Sequence, residues 1–275
     1  MENSVIRDYS TRLIGYYGLT GMKAISLLVS IGCLVGVLFL VNAAANVSSY
    51  WSPMKAYNPS LQDVGNSFFN NGFLVESNYN EVVDIIMICF LGVTAFFILI
   101  NKMAIFIALK LIITIIIAYT LRCTTLMVTS LPDSWDQGLR TINDTFSDMS
   151  RQRGGDLIYS GHTLLVCAFA HCWSSFYLLT DSFFMHVLTG LCAWAVFGTI
   201  IIFIIVGRLH YTIDVLLAMY ITSGVWWSLD YFLLQYFEAP VCQLIFRETR
   251  RMPMDSKACD TTIEIPRTIS QHRNV

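Results

Sequence analysis

Hydrophobic positions in this chain neither alternate nor recur on one helical face; they come in long unbroken runs separated by polar stretches. Six runs stand out, at about residues 24–45, 82–100, 103–129, 163–180, 186–208 and 211–237. Each comes close to or exceeds the ~20 residues that carry a helix across a bilayer. A helix satisfies its own backbone groups in lipid, so the pattern predicts an all-α, polytopic membrane protein built as a six-transmembrane-helix bundle. Polar stretches divide the chain into an N-terminal segment 1–23, a membrane domain 24–237 and a tail 238–275 carrying Pro240, Pro253 and Pro266. The low apolar content of that tail predicts flexibility.

Composition supports the membrane reading. Apolar residues make up 55% of the 275 and charged residues only 13%, about half the charged share of a soluble domain. Mean hydropathy is +0.59. A net charge of −2 without a basic stripe gives no footprint for nucleic acid. The eight cysteines lack CxxC spacing, and Cys33, Cys89, Cys167 and Cys192 fall inside apolar runs. They read as buried thiols behaving as small hydrophobes, with neither a disulfide framework nor a metal site implied. The first run is longer than the 7–15 residues of a signal-peptide core and reads as an uncleaved span.

Lysine and arginine then orient the bundle. Arg7, Arg12, Lys23, Lys102, Arg247, Arg250, Arg251, Lys257, Arg267 and Arg273 fall on one side; Lys55, Arg140, Arg151 and Arg153 fall on the other. Ten against four predicts both termini in the cytoplasm. The connections 46–81 and 130–162 and the turn near 208–211 then face the lumen or exterior, together with the sequons at Asn46 and Asn143.

Ionisable side chains at span ends are the candidates for chemistry. In "GGDLIYSGHT" (154–163), Asp156, Ser160 and His162 stand at the mouth of the fourth run. In "GRLHYTIDV" (207–215), His210 and Asp214 are spaced i and i+4 as the sixth run begins, one helical turn apart. A carboxylate on one ring nitrogen fixes the tautomer and frees the other nitrogen as nucleophile or base. The predicted topology puts His162 and His210 at the same membrane boundary. His171, His186 and His272 read as interfacial residues without a chemical role. Arg122 lies within the third run, with Tyr119 on its face. A guanidinium there needs a partner, and either a phosphate or a carboxylate such as Asp63 or Asp156 would serve.

These residues form a pattern that resembles the sphingomyelin synthase family, relatives of the lipid phosphate phosphatases. The family's third motif, C-G-D-x3-S-G-H-T, is present except for its cysteine, and the fourth, H-Y-T-x-D-V, runs from His210 to Val215. The second, R-R-x8-Y-x2-R-x6-T, is matched at Tyr119, Arg122 and Thr129, with Leu109 and Lys110 in place of the arginine pair. The first, P-P-L-P-D, survives as Pro59, Leu61 and Asp63. Further along the fourth motif, Met219, Trp226, Leu229 and Asp230 stand where Tyr, Phe, Tyr and His are expected.

The resemblance implies a transferase that moves a phospho-headgroup from a glycerophospholipid to the primary hydroxyl of ceramide and releases diacylglycerol. It implies His162, His210 and Asp214 as catalytic residues, with a phosphohistidine intermediate at His210. Tyr119, Arg122, Asp156, Ser160, Gly161, Arg208 and Tyr211 would contact substrate, and no cofactor or metal is implied. Golgi or plasma membrane, with a lumenal or external active face, is the implied location. Choline-type members carry an acidic residue where this chain has Leu209, which leaves choline, ethanolamine and inositol headgroups open. A lipid phosphate phosphatase is the alternative, although K-x6-R-P and an Arg at position 204 are missing. A non-catalytic lipid-binding protein is the third reading.

Overall fold

The computed structural model describes residues 15–16, 21–51, 61–69, 79–131, 158–179 and 181–235. The tail 238–275, Asp156, Asn143 and the basic residues of the 132–157 connection lie outside them. The elements are α1 (Gly21–Trp51), the short α2 (Val64–Phe68), α3 (Tyr79–Ile100), α4 (Ala104–Val128), α5 (Gly161–Ser175), α6 (Phe183–Val206) and α7 (Thr212–Gln235). The described residues contain no strand.

Five of these helices, α1, α3, α4, α6 and α7, are long and apolar enough to cross a membrane. The fourth predicted span differs: α5 has 15 residues, about 22 Å at 1.5 Å per residue, short of a ~30 Å hydrocarbon core. Its position explains its length. It packs against α3, α4, α6 and α7, and Leu164, Val166, Cys167, Ala168, Phe169, Ala170 and Cys172 are almost completely buried. A helix packed against four others does not have to match the thickness of the lipid around the bundle. Hydrogen bonds secure its far end, where Trp173 Nε1 donates to Thr94 Oγ1 at 2.9 Å and Trp226 Nε1 donates to Ser175 Oγ at 3.1 Å.

Helix α1 lies along α4 at the edge of the bundle. Ala44 and Ala45 close against Leu126 of α4, small residues that let two membrane helices approach closely. Its outer side, with Leu28, Val29 and Val35, is exposed, as suits a surface in contact with lipid. Three sequence expectations change here. Asn46 is buried within α1 rather than displayed on a loop, because the helix continues to Trp51; a glycan has no room there. Cys33, Cys89 and Cys192 face outward, and only Cys167 of the four is buried, since an apolar run does not reveal which side meets protein. His171 is internal, stacked on Trp226 at 5.8 Å with Nε2 2.8 Å from Ser223 Oγ.

Candidate functional site

Three chain segments converge where α4 ends and α5 and α7 begin. Ser160 caps α5 with extended backbone, and its hydroxyl accepts from Thr163 N–H at 3.3 Å. This places His162 in the first turn. In α7, Asp214 reaches back to accept from Tyr211 N–H at 3.0 Å, satisfying one of the free amides of the helix start. Ser160 N–H donates to the Asp214 carbonyl at 3.3 Å, so the two helix starts are joined directly.

Each histidine faces a carboxylate. His210 Nδ1 lies 3.9 Å from Asp214 Oδ2, both side chains being buried. His162 Nε2 lies 3.1 Å from Oδ1 of Asp84 on α3, with the imidazole more open than its partner. The two imidazole centroids are 6.5 Å apart. The structure thus brings the two histidines and Asp214 together, with Asp214 beside His210 at 3.9 Å, beyond hydrogen-bond length. Asp84 is absent from the sequence reading: it sits in the second apolar run, 78 positions before His162, with no local spacing to mark it.

Arg122 and Tyr119 lie against the start of α5. Arg122 is buried and its Nε donates to the Tyr159 carbonyl at 2.6 Å. Tyr119 Oη lies 3.5 Å from the Gly161 carbonyl. A Cβ on residue 161 would lie 2.9 Å from Arg122 Nη1 and 3.4 Å from Tyr119 Oη, so any larger residue there must displace the guanidinium. Tyr159 donates its hydroxyl to the Ala118 carbonyl, and burial pushes its phenol pKa up. Arg122 therefore holds the backbone leading into α5 and lies against Gly161, the residue before His162.

The remaining expected residues have structural attachments. Tyr211 is buried and its hydroxyl accepts from Leu61 N–H at 3.1 Å. Asp63 does not lead to Arg122 in the hydrogen bonds seen here; its carboxylate accepts from Thr212 N–H at 3.0 Å and Thr212 Oγ1 at 2.7 Å. Two carboxylates, Asp63 and Asp214, thus sit at the positive end of α7. Arg208 takes a left-handed backbone, φ 53°, after the end of α6. The N–H groups of Arg208 and Leu209 donate to the carbonyls of Ile205 and Ile204 at 3.0 Å each, a helix-ending arrangement that usually places glycine at the left-handed position. Asp156 lies outside the described residues.

The departures from the second and fourth motifs meet each other. Lys110 Nζ donates to Asp230 Oδ1 at 2.7 Å and lies 4.2 Å from the Trp226 ring centre. Lys110 and Arg122 are twelve positions apart on α4, about 18 Å along the axis. The pair therefore braces α4 against α7 well away from the histidines. Among the described residues, no three His, Cys, Asp or Glu side chains converge to hold a metal ion.

Residues 154–231 match the family model for the PAP2 superfamily C-terminal domain. The chain is also 31% identical, over 137 residues, to a Caenorhabditis elegans protein named phosphatidylcholine:ceramide cholinephosphotransferase 1; the match covers 41% of this chain and 28% of that relative. The matched family segment contains His162, His210 and Asp214 together with the turn and helix starts that bring them into one site. Across that segment the chain is similar to the PAP2 superfamily C-terminal domain, and the chain spans well under half the length of the curated relative it matches.

Proposed function

We propose that this protein is a ceramide phosphotransferase. The observation that carries the reading is the pair of imidazoles 6.5 Å apart, each beside its own carboxylate. One nucleophile and one proton carrier are the minimum for a two-step group transfer. Asp214 faces Nδ1 of His210, and Nε2 is the nitrogen that attacks phosphorus. As the P–N bond forms, the P–O bond to the diacylglycerol oxygen breaks, and that oxygen takes a proton from His162. The ceramide hydroxyl then gives its proton to His162, its oxygen attacks phosphorus, and the P–N bond breaks. His162 begins and ends protonated. Asp84 orients it and balances its charge, while Arg122 is the group suited to the phosphoryl oxygens.

The headgroup is choline or ethanolamine; Leu209 and Arg208 beside His210 keep inositol as an alternative. Substitution of water for ceramide would turn the same steps into phosphatase chemistry, consistent with the PAP2 match. In this reading both termini are cytoplasmic, and the site faces the lumen of the Golgi or the cell exterior.

The test is reconstitution with labelled phosphatidylcholine, phosphatidylethanolamine or phosphatidylinositol plus fluorescent ceramide. Product that depends on ceramide supports transfer; free phosphate from phosphatidate supports a phosphatase. A His210→Ala protein that keeps full transfer would overturn the mechanism. Asp84→Asn is expected to slow transfer by roughly 100-fold, the lower end of a general acid–base contribution, with Asp84→Glu recovering part of it. Wild-type rates in Asp84→Asn would remove Asp84 from the scheme.

A further inference from the structure

The short segment 61–69 has two unlike sides. Its inner side is bonded to the start of α7. Asp63 caps α2 by accepting from Asn66 N–H at 2.9 Å and accepts both Thr212 donors, while Leu61 N–H donates to Tyr211 Oη. Gly65 lies so close that a Cβ there would sit 2.2 Å from Thr212 Oγ1 and 2.9 Å from Ile205 Cγ2. On the outer side Leu61, Val64 and Phe68 are 51%, 84% and 77% exposed.

The depth of this segment identifies what covers those side chains. Ile205 belongs to the last turn of α6 and Thr212 is the first residue of α7, so α2 lies level with the ends of two membrane spans. At that same end α1 finishes in exposed Trp51 and α4 in exposed Met127 and Val128, with α1 and α4 joined there by Ser130 Oγ donating to the Ser48 carbonyl at 2.8 Å. An apolar ring carrying an aromatic side chain at span ends is the signature of a membrane–water boundary.

We propose that residues 61–69 are an interfacial strap. Leu61, Val64 and Phe68 insert into the leaflet at the end of the bundle that holds His162 and His210, and Asp63 ties that insertion to the first turn of α7. The partner is the phospholipid bilayer itself, engaged through its acyl–headgroup boundary, where apolar side chains and a short polar backbone segment are both accommodated. Membrane contact stands on the geometry alone; its consequence for transfer rests on the phosphotransferase reading.

The experiment uses the full chain in nanodiscs, with Phe68→Trp compared against the parent protein. The added tryptophan emission is expected to be quenched by phospholipid brominated near the upper acyl chain and little affected by aqueous iodide. The reverse pattern, or resistance to both quenchers as expected for docking on another protein surface, overturns the proposal. In a second arm, Val64→Asp/Phe68→Asp is expected to lose transfer several-fold on bilayer-embedded lipids while retaining it on short-chain, water-soluble substrates. Equal loss on both overturns the link from strap to substrate bilayer. Absence of transfer by the parent counts against the phosphotransferase reading, and the quenching result then decides membrane contact by itself.

Discussion

Replacing Gly161 by alanine separates the two roles available to Arg122. The added methyl would sit 2.9 Å from Arg122 Nη1 and 3.3 Å from Cζ, closer than such contacts tolerate. The guanidinium, as the end of a long side chain, gives way before the backbone does. Moving it stretches the 2.6 Å bond from Nε to the Tyr159 carbonyl and displaces the charge from the start of α5. A hydrogen bond from a charged donor contributes about 1.5–3 kcal/mol. If Arg122 holds phosphate in the transition state, losing that much slows transfer by roughly 10- to 150-fold. Stability should change less, because replacing glycine by alanine restricts the unfolded chain and offsets about 0.4–1 kcal/mol of the lost bond. The assay is ceramide-dependent transfer in liposomes beside a thermal melt of the same preparation. A Gly161→Ala protein with wild-type transfer would show that the position of Arg122 is immaterial to the chemistry, and the reasoning would fail.

Three further outcomes can be checked by unfolding experiments in detergent. Asp230→Ala should destabilise more than Lys110→Met, because the Lys110 side chain is 3% exposed and that of Asp230 41%; an ammonium left unpaired in the protein interior costs more than a carboxylate at the bundle's outer side, and the opposite ranking refutes the pairing argument. Arg208→Gly should be about 1 kcal/mol more stable than Arg208→Ala, since both lose the side chain while only alanine keeps the left-handed strain at φ 53°; equal melting temperatures would deny that strain. The raised pKa of Tyr159 means the folded state holds its proton more tightly than the unfolded chain, whose tyrosines titrate near 10. Stability is then fully present below about pH 10 and declines as pH rises further, so wild-type protein should lose more stability between pH 9 and 11 than Tyr159→Phe.

Much of the candidate site was legible because its marks are local. His210 and Asp214 are one helical turn apart, and Ser160 stands directly before the helix that carries His162. Arg122 is conspicuous as a guanidinium inside an apolar run. Asp84 carries no such mark: nothing in "NEVVDIIMICF" indicates that its carboxylate meets a histidine 78 positions later. Asp63 is a related case, visible as the end of a worn motif but pointing toward Arg122 as readily as toward Thr212, to which it is bonded. Leu109 with Lys110, and Asp230, looked like separate erosions of two motifs until the structure joined Lys110 to Asp230 at 2.7 Å.

The solvent and the secondary structure follow from the order of residues alone. Runs of apolar residues dictate helices in a bilayer, because no other open-ended element satisfies its backbone there. That order also determined which residue types stand at the helix starts, because capping and i,i+4 contacts depend only on near neighbours. Tertiary structure alone decided which faces meet. A membrane helix that is apolar all round carries no phase to say which side turns inward, so the enclosure of α5, the outward turn of Cys33 and Cys192, and the partners of Asp84, Asp63 and Lys110 all had to come from packing. The two histidines reached one site for the same reason: their helices start side by side, joined by the Ser160 N–H and the Asp214 carbonyl, a contact between segments more than fifty residues apart.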